Sequence, residues 1–319
     1  MTYTLCVGEA LVDFIAQAQV GDVGASEVFR RAPGGAPANV AVGIARLGGV
    51  AHFAGTVSRD AFGRFLLRVL AHENVGVDGV RLVDAHTTLA FVARGDQGQR
   101  DFVFIRDPGA DSCLTASDIT ASEIEHARIL HFGGVLLSSE PARSACLAAA
   151  ACARAASRLV SFDVNARPAL FASPQTMRAA LFAGCSGAHL VKLSEEDLLA
   201  LGLRLEQAAD LIGGTTRAVV VSRGAAGCRW FFEGTHAGEI AAPALEPVDT
   251  TGAGDAMMAA ILWRLAGAYD ARLSTSALAD AARYGCAAGA VACLREGAIP
   301  SLPSRPELDV MLSRVPCGA

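Results

Sequence analysis

The sequence predicts an α/β protein whose mostly parallel sheet carries helices on both faces. Three observations lead there. From residue 128 onward, short β-branched runs alternate with longer helical patterns, as parallel strands joined by helical crossovers require. Twice, at 34–39 and 252–257, a glycine-rich turn runs directly into an apolar helical pattern. The chain of 319 residues, 52% of them hydrophobic, can bury the core of one large α/β domain or two smaller ones.

Composition excludes several classes. The nine cysteines form no C-x-x-C pair, which argues against a disulfide framework or a structural zinc site, and the seven histidines show no H-E-x-x-H spacing. Net charge is −5, the basic residues are nearly all arginines scattered singly, and Lys192 is the only lysine, so neither a basic stripe for nucleic acid nor a P-loop exists. No run of eighteen residues lacks polar breaks, so no membrane span is expected. The start Met1-Thr2-Tyr3-Thr4 has no signal-peptide character, and a cytoplasmic location is expected.

In chain order, Thr4, Leu5, Cys6 and Val7 form an apolar run ended by Gly8, a buried strand. Asp13 lies between Val12 and Phe14, where a carboxylate needs hydrogen-bond partners that either sugar hydroxyls or a capped turn would supply. Residues 16–31 are polar and aperiodic. Gly34, Gly35, Ala36, Pro37, Ala38 and Asn39 then feed a helix, and the pair of glycines permits either close approach to a small ligand or a tight turn and cap. Asn39, in the first turn, has an amide able to read two hydroxyls at once.

Asp60 opens an amphipathic helix with Leu66, Leu67 and Leu70 inward. Residues 88–94 and 100–106 read as a β-hairpin around 95–98. Both hairpin faces are largely apolar, which calls for cover: a lid over a site, or a second subunit. Arg106 closes the hairpin, where it reaches an anionic or polyhydroxy ligand or makes a strand-end salt bridge.

Strands follow at 129–133, 158–164, 188–193 and 217–222, with helices at 141–156 and 174–182, a helix capped by Ser194, and a returning strand at 228–232. Ligands of such sheets lie beyond the carboxyl ends of the strands. Polar residues fall at three successive ends: Asp163, Asn165 and Arg167, then Lys192 and Ser194, then Ser222 and Gly224. A helix at 278–293 carries small residues (Ala287, Ala288, Gly289, Ala290) that allow packing beside the 252–255 turn or against a flat ring. In that turn, Gly252, Ala253, Gly254 and Asp255 open a helix whose N–H groups favour negative charge, with a carboxylate placed to take a proton. This suggests phosphoryl transfer. A simple helix cap is the plainer alternative, and a dinucleotide fingerprint belongs after the first strand instead.

Two strings, 34–39 leading into Ala45-Arg46-Leu47-Gly48 and Asp249-Thr250-Thr251-Gly252-Ala253-Gly254-Asp255, resemble the two signatures of the ribokinase (PfkB) family of carbohydrate kinases in order and spacing. The similarity runs over nearly the whole chain, and Gly8 to Asp13, 88–92, 102–106 and 162–168 read like fructokinase segments. The resemblance implies a ribokinase-like three-layer sandwich over 1–319, with lid segments at 14–33 and 86–108 that often also pair two subunits.

It further implies an ATP-dependent kinase acting on a ketose, fructose first, with Asp255 as base and Gly252, Ala253 and Gly254 as the anion hole. Asp13, Gly34, Gly35, Asn39, Arg106 and Asn165 would line the sugar pocket. Lys192, Ser194, Ser222, Gly224, Gly227, Cys286 and Gly289 would hold ATP, Asp197 its Mg²⁺, and Asp249 with Thr251 a monovalent cation such as K⁺. Relatives acting on 2-keto-3-deoxygluconate or aminoimidazole riboside share several of these segments, and an inactive sugar-binding regulator is the alternative outside enzymes. Met257, Asp197 and Cys286 depart from the family pattern, the last two at positions for metal and adenine. Gly254→Ala is expected to be damaging if Gly254 holds a backbone conformation closed to alanine.

Overall fold

The computed structural model describes residues 2–18, 20–95, 100–267 and 273–315. β1 (Tyr3–Val7) leads into β2 (Leu11–Ala16) and β3 (Phe29–Gly34), followed by α1 (Ala36–Arg46), β4 (Ala51–Ser58), α2 (Ala61–His72) and β5 (Val80–Val83). The pair β6 (Leu89–Arg94) and β7 (Arg100–Ile105) comes next, then α3 (Ala121–His126), β8 (Ala127–Gly133), α4 (Ala142–Ala155), β9 (Leu159–Asp163) and α5 (Pro174–Ser186). β10 (Leu190–Ser194), α6 (Glu195–Leu201), β11 (Ala218–Ser222), β12 (Cys228–Phe232) and β13 (Thr235–Ile240) precede four helices: α7 (Ala253–Gly267), α8 (Thr275–Ala292), α9 (Ala298–Ser301) and α10 (Arg305–Leu312).

Among the described residues the central sheet has the order β13-β12-β11-β10-β9-β8-β1-β4-β5. Every pairing from β11 to β5 is parallel, and β12 and β13 return antiparallel. Alternate side chains of the strands enter two separate cores. Cys6, Phe53, Ile129, Leu190 and Val220 face α1, α7 and α8, while Leu5, Phe132, Phe162, Val191 and Val219 face α4 and α5. Burial on both faces explains why strands such as Ala218–Ser222 read as continuous apolar runs.

A second sheet, ordered β3-β2-β6-β7, is formed by the segments expected to make a lid. Its strands β6 and β7 pair antiparallel as the hairpin expectation required, although the tip at 96–99 lies outside the described residues. The lid segment expected at 14–33 is longer: β2 starts at Leu11 and β3 runs to Gly34, so Asp13 sits within a paired strand opposite Ala32 and not in a turn. Those strands escape periodicity because β3 holds Arg30, Arg31 and Pro33, which suit an edge. β4, β5 and β13 were also not expected. β4 (AHFAGTVS) is almost entirely buried and therefore shows no alternation.

Helix starts follow local chemistry. Asp60 accepts the Gly63 N–H at 2.7 Å to cap α2, and Ser173 caps α5 with Pro174 in the first turn. No helix among the described residues is long and apolar enough to cross a membrane.

Arg46, the arginine of the Ala45-Arg46-Leu47-Gly48 string, is a structural clamp. Its Nε and Nη2 donate to both oxygens of Glu73 at 2.8 and 2.6 Å, and Nη1 donates to the Ile299 and Leu302 carbonyls at 2.8 and 2.9 Å. It thereby ties α1 to the end of α2 and to the chain around α9. Replacing Arg46 by Ala strips four charge-assisted bonds from partly buried acceptors, and should lower unfolding free energy by about 2–3 kcal/mol in urea titration.

Candidate active site

The site forms where the two glycine-led helices meet. At α1, Gly35 holds φ +105°, and a Cβ there would strike the Glu9 carbonyl. The Glu9 carboxylate reaches across and accepts the Ala36 N–H at 2.9 Å, capping the helix with a residue from another segment. A Cβ on Gly34 would strike the Asp13 carboxylate, so the first glycine makes room for that side chain.

At α7, Gly252 holds φ +80°, and a Cβ would lie 2.8 Å from the Ala298 Cα. The preceding turn is braced by Asp249, whose Oδ1 accepts the Thr251 N–H and Oγ–H at 2.8 and 2.7 Å and whose Oδ2 accepts the Gly297 N–H at 2.8 Å. Asn39 Nδ2 then donates to Asp255 Oδ2 at 2.8 Å, joining the first turns of the two helices.

Charge is unevenly balanced in this cleft. Burial raises the Asp255 carboxyl above the usual range, against the opposing pull of the Asn39 hydrogen bond and the Lys192 and Arg167 charges. Asp13 is pushed up to about 7 by burial and by the Asp255 charge, with Arg167 working the other way. Glu9 is pushed to about 8, chiefly by burial, and the Asp111 charge adds to this. The cleft can therefore hold a polyhydroxy ligand against two carboxylates that ionise late, beside a helix terminus that favours an anion.

Asp13, Gly34, Gly35 and Asn39 thus come together with Gly252, Ala253, Gly254 and Asp255. Asn39 departs from its expected part: its amide nitrogen serves Asp255, and its buried Oδ1 has no protein partner. Asn165 follows β9 with φ +37° in the left-handed region, which turns the chain at the strand's carboxyl end. Arg106 makes the strand-end salt bridge: Nε donates to Asp111 Oδ2 at 2.9 Å and Nη1 to Ser138 Oγ at 2.6 Å, while Nη2 is buried without a partner. Ala253 N–H closes a turn onto the Thr250 carbonyl at 3.3 Å.

On the nucleotide side several expectations change. Cys286 is buried with its Sγ 3.3 Å from Cys228 Sγ, so its thiol is turned to β12 and the core. Asp197 is not free to take a metal directly. Its Oδ2 accepts the Ser194 N–H and Oγ–H at 2.8 and 3.0 Å and its Oδ1 the Ala166 N–H at 2.7 Å, in a capping box that also consumes Ser194.

Asp249 and Thr251 bind one another, which gives them the part of a brace. Ser222 Oγ lies 3.4 Å from the Leu193 carbonyl. Gly224 and Gly227 shape the turn after β11 at φ +53° and +86°. Gly289 faces the Ala253 carbonyl, so the small residues of α8 pack beside the 252–255 turn. Lys192 lies beneath that turn, paired with Asp163 at 2.9 Å.

Glu9, Asp163 and Arg167 also belong to this cluster: Glu9 caps α1, Asp163 pairs with Lys192, and the Arg167 charge acts on Asp13 and Asp255. The sequence placed Asp163 and Arg167 among the polar strand ends without a part of their own, and Glu9, just past β1, carried no signal that separated it from a turn residue.

With that geometry in place, the comparisons with known proteins fall on one side. The family model described as pfkB family carbohydrate kinase matches residues 1–305. Among curated relatives, the probable fructokinase-7 of Arabidopsis thaliana is 38% identical over 98% of this chain and 93% of its own. Among solved structures, a fructokinase with bound ATP from Xylella fastidiosa superposes with a TM-score of 0.88 at 31% identity, over 98% of this chain and 99% of that one. A fructokinase from Vibrio cholerae O395 in a fructose, ADP and calcium ion bound form gives 0.87 at 33% identity, over 98% and 99%. The Gly-led helix pair, the braced 249–255 turn and the lid sheet are therefore features of a ribokinase-like sugar kinase, and the chain belongs to the pfkB family of carbohydrate kinases.

Proposed function

We propose that this chain is an ATP-dependent fructokinase, with Asp255 as the base for the reacting sugar hydroxyl. The observation that carries the reading is the placement of Asp255: first turn of α7, held by Asn39, electrically coupled to Asp13 and open toward the cleft. Fructokinase relatives along the full chain support fructose as the ketose.

In this reading the sugar lies between Asp13, the 34–35 turn and Asn165, under the β2/β6 face of the lid. Asp255 takes the hydroxyl proton, the freed oxygen attacks the γ-phosphorus, and the bond to the β–γ bridging oxygen breaks to release ADP. First-turn amides of α7 hold the phosphoryl charge as it moves, and positioning with charge neutralisation supplies the rate.

The nucleotide lies along the ends of β10 and β11, beside the 222–227 turn and α8. Among the described residues no group of three His, Cys, Asp or Glu side chains forms a metal cage, which fits Mg²⁺ carried chiefly on the phosphates. When bound, Mg²⁺ neutralises phosphate charge. A K⁺ beside the 249–251 brace remains part of the reading, as does pairing of two copies through the lid. The outer strand β7 exposes Val103 and Ile105 on one face, and such a patch suits a partner surface.

Sugar acids form the second reading. Arg167 acts on both cleft carboxylates, and the unpartnered Nη2 of Arg106 is a buried donor; two cations so placed would suit a substrate carboxylate. A panel of fructose, ribose, aminoimidazole riboside and 2-keto-3-deoxygluconate, read by coupled ADP release, is expected to favour fructose. A preference for the sugar acid selects the second reading, and ADP release with none of them defeats both.

Asp255→Asn should lower kcat by about 10²–10⁴ with little change in KM for the sugar, because the amide cannot accept the proton. Near-normal turnover would remove Asp255 from the mechanism. Since burial raises both Asp13 and Asp255, each is ionised only above its raised value, and kcat/KM should fall as pH drops through about 7. A pH profile flat from 8 to about 5 would contradict that assignment.

A further inference from the structure

Lys192 is the only lysine in the chain, against an arginine at every other basic position apart from histidine. It extends from β10 on the sheet face that packs against α1 and α7, opposite Asp163 of β9 in register, and its Nζ donates to Asp163 Oδ2 at 2.9 Å. Both side chains are almost fully buried. A Cβ added to Gly254 would lie 2.8 Å from this Nζ, and the next nearest atom is Lys192 Cε at 3.9 Å.

Gly254 itself is helical and outside the left-handed region, so its backbone imposes no demand for glycine. The ammonium is what a side chain there would meet, and its burial and its bond to Asp163 limit how far it can move aside. A compact ammonium fits under the helix where the planar fork of an arginine would need more room.

We propose that Lys192, held by Asp163, is a positioning residue of the phosphoryl site: its ammonium occupies the space below Gly254, opposes a side chain there, and supplies the fixed positive charge that keeps Asp255 ready to accept a proton. The part concerning Asp255 rests on the kinase reading above; the part concerning Gly254 does not. Burial alone would discharge the lysine, but Asp163, Asp197 and Asp255 more than offset it. Neighbouring His131, buried and facing the same charge, is driven down to about 3 and stays neutral. The charged or polar groups around Asp255 are Asn39 on α1, Asp13 on β2, Arg167 after β9, and the Asp163–Lys192 pair on β9 and β10.

Two measurements test this. Thermal unfolding should show Gly254→Ala lowering Tm in the native chain but adding no further loss to Lys192→Ala/Asp163→Asn, where the space is empty and no buried charge is left unpaired. An equal loss in both backgrounds overturns the contact, whether or not the chain is a sugar kinase. With the sugar that the native chain phosphorylates, Lys192→Met should move the acid limb of kcat toward higher pH by about one unit with the sugar KM nearly unchanged. Lys192→Gln, which removes the charge while its amide can still donate to Asp163, serves where the methionine variant does not fold. An unmoved limb, or a change confined to KM, overturns the electrostatic part. Absence of turnover in the native chain counts against the kinase reading and the electrostatic part that rests on it, leaving the Gly254 arm to stand or fall by Tm.

Discussion

The hydrogen bond from Asn39 to Asp255 is the contact on which the cleft depends. Helices α1 and α7 arrive from opposite ends of the sequence, and their first turns need a common orientation for the proposed meeting of a sugar and a phosphoryl group between them. One 2.8 Å bond between side chains four and three residues into the two helices sets that orientation, and the α1/α7 packing behind it makes the orientation rigid. Each helix start is then fixed from outside. Glu9 caps α1 from the end of β1, and Asp249 ties the α7 turn to the loop before α9. A carboxylate that accepts backbone N–H groups costs less to bury than one that does not, so these acids can sit inside the fold and act as struts.

A cleft with this many buried acids needs compensation. Asp13, Asp163 and Asp255 crowd one another, and the cations available are Lys192 from below and Arg167 from the loop. The Arg167 guanidinium also approaches the Phe102 ring of β7 at 5.8 Å, so the residue that acts on the carboxylates touches the lid as well. A phosphate entering at the α7 terminus adds negative charge to this set. Asp255 therefore sits within a coupled group of charges in which acids outnumber cations, where the loss of any one is felt by the others.

The parallel half of the fold was legible because buried strands and crossover helices alternate with capping residues at their borders; Asp60, Ser173 and Ser194 each begin a helix in the structure. The lid was half legible. β6 and β7 show strand composition, whereas β2 joins the sheet through a parallel contact with β6 that no local pattern records, and β3 pairs only with β2. Asp13 was singled out correctly as a carboxylate in an apolar setting, but its location inside β2 depended on that same long-range pairing. Cys286 and Asp197 show a related limit. Sequence places them near the nucleotide, while only packing decides that one faces Cys228 and the other folds back on its own helix.

The Gly-x-Gly of the α7 turn shows most sharply where a motif stops being informative. Its two glycines look alike in sequence and answer to different physics. Gly252 is needed for its backbone, at φ +80° with Ala298 pressed against it. Gly254 has an ordinary helical backbone and is needed for its missing volume, which the Lys192 ammonium takes up. Gly289 on α8, facing the Ala253 carbonyl from the other side, is there for close approach. The tight start of α7 is thus met by three glycines that relieve torsion, volume and contact distance in turn, and on the proposed reading that start is what brings the helix within reach of a phosphoryl group. The expectation that backbone freedom explains Gly254 merges the first two, and the lysine beneath the helix is what separates them.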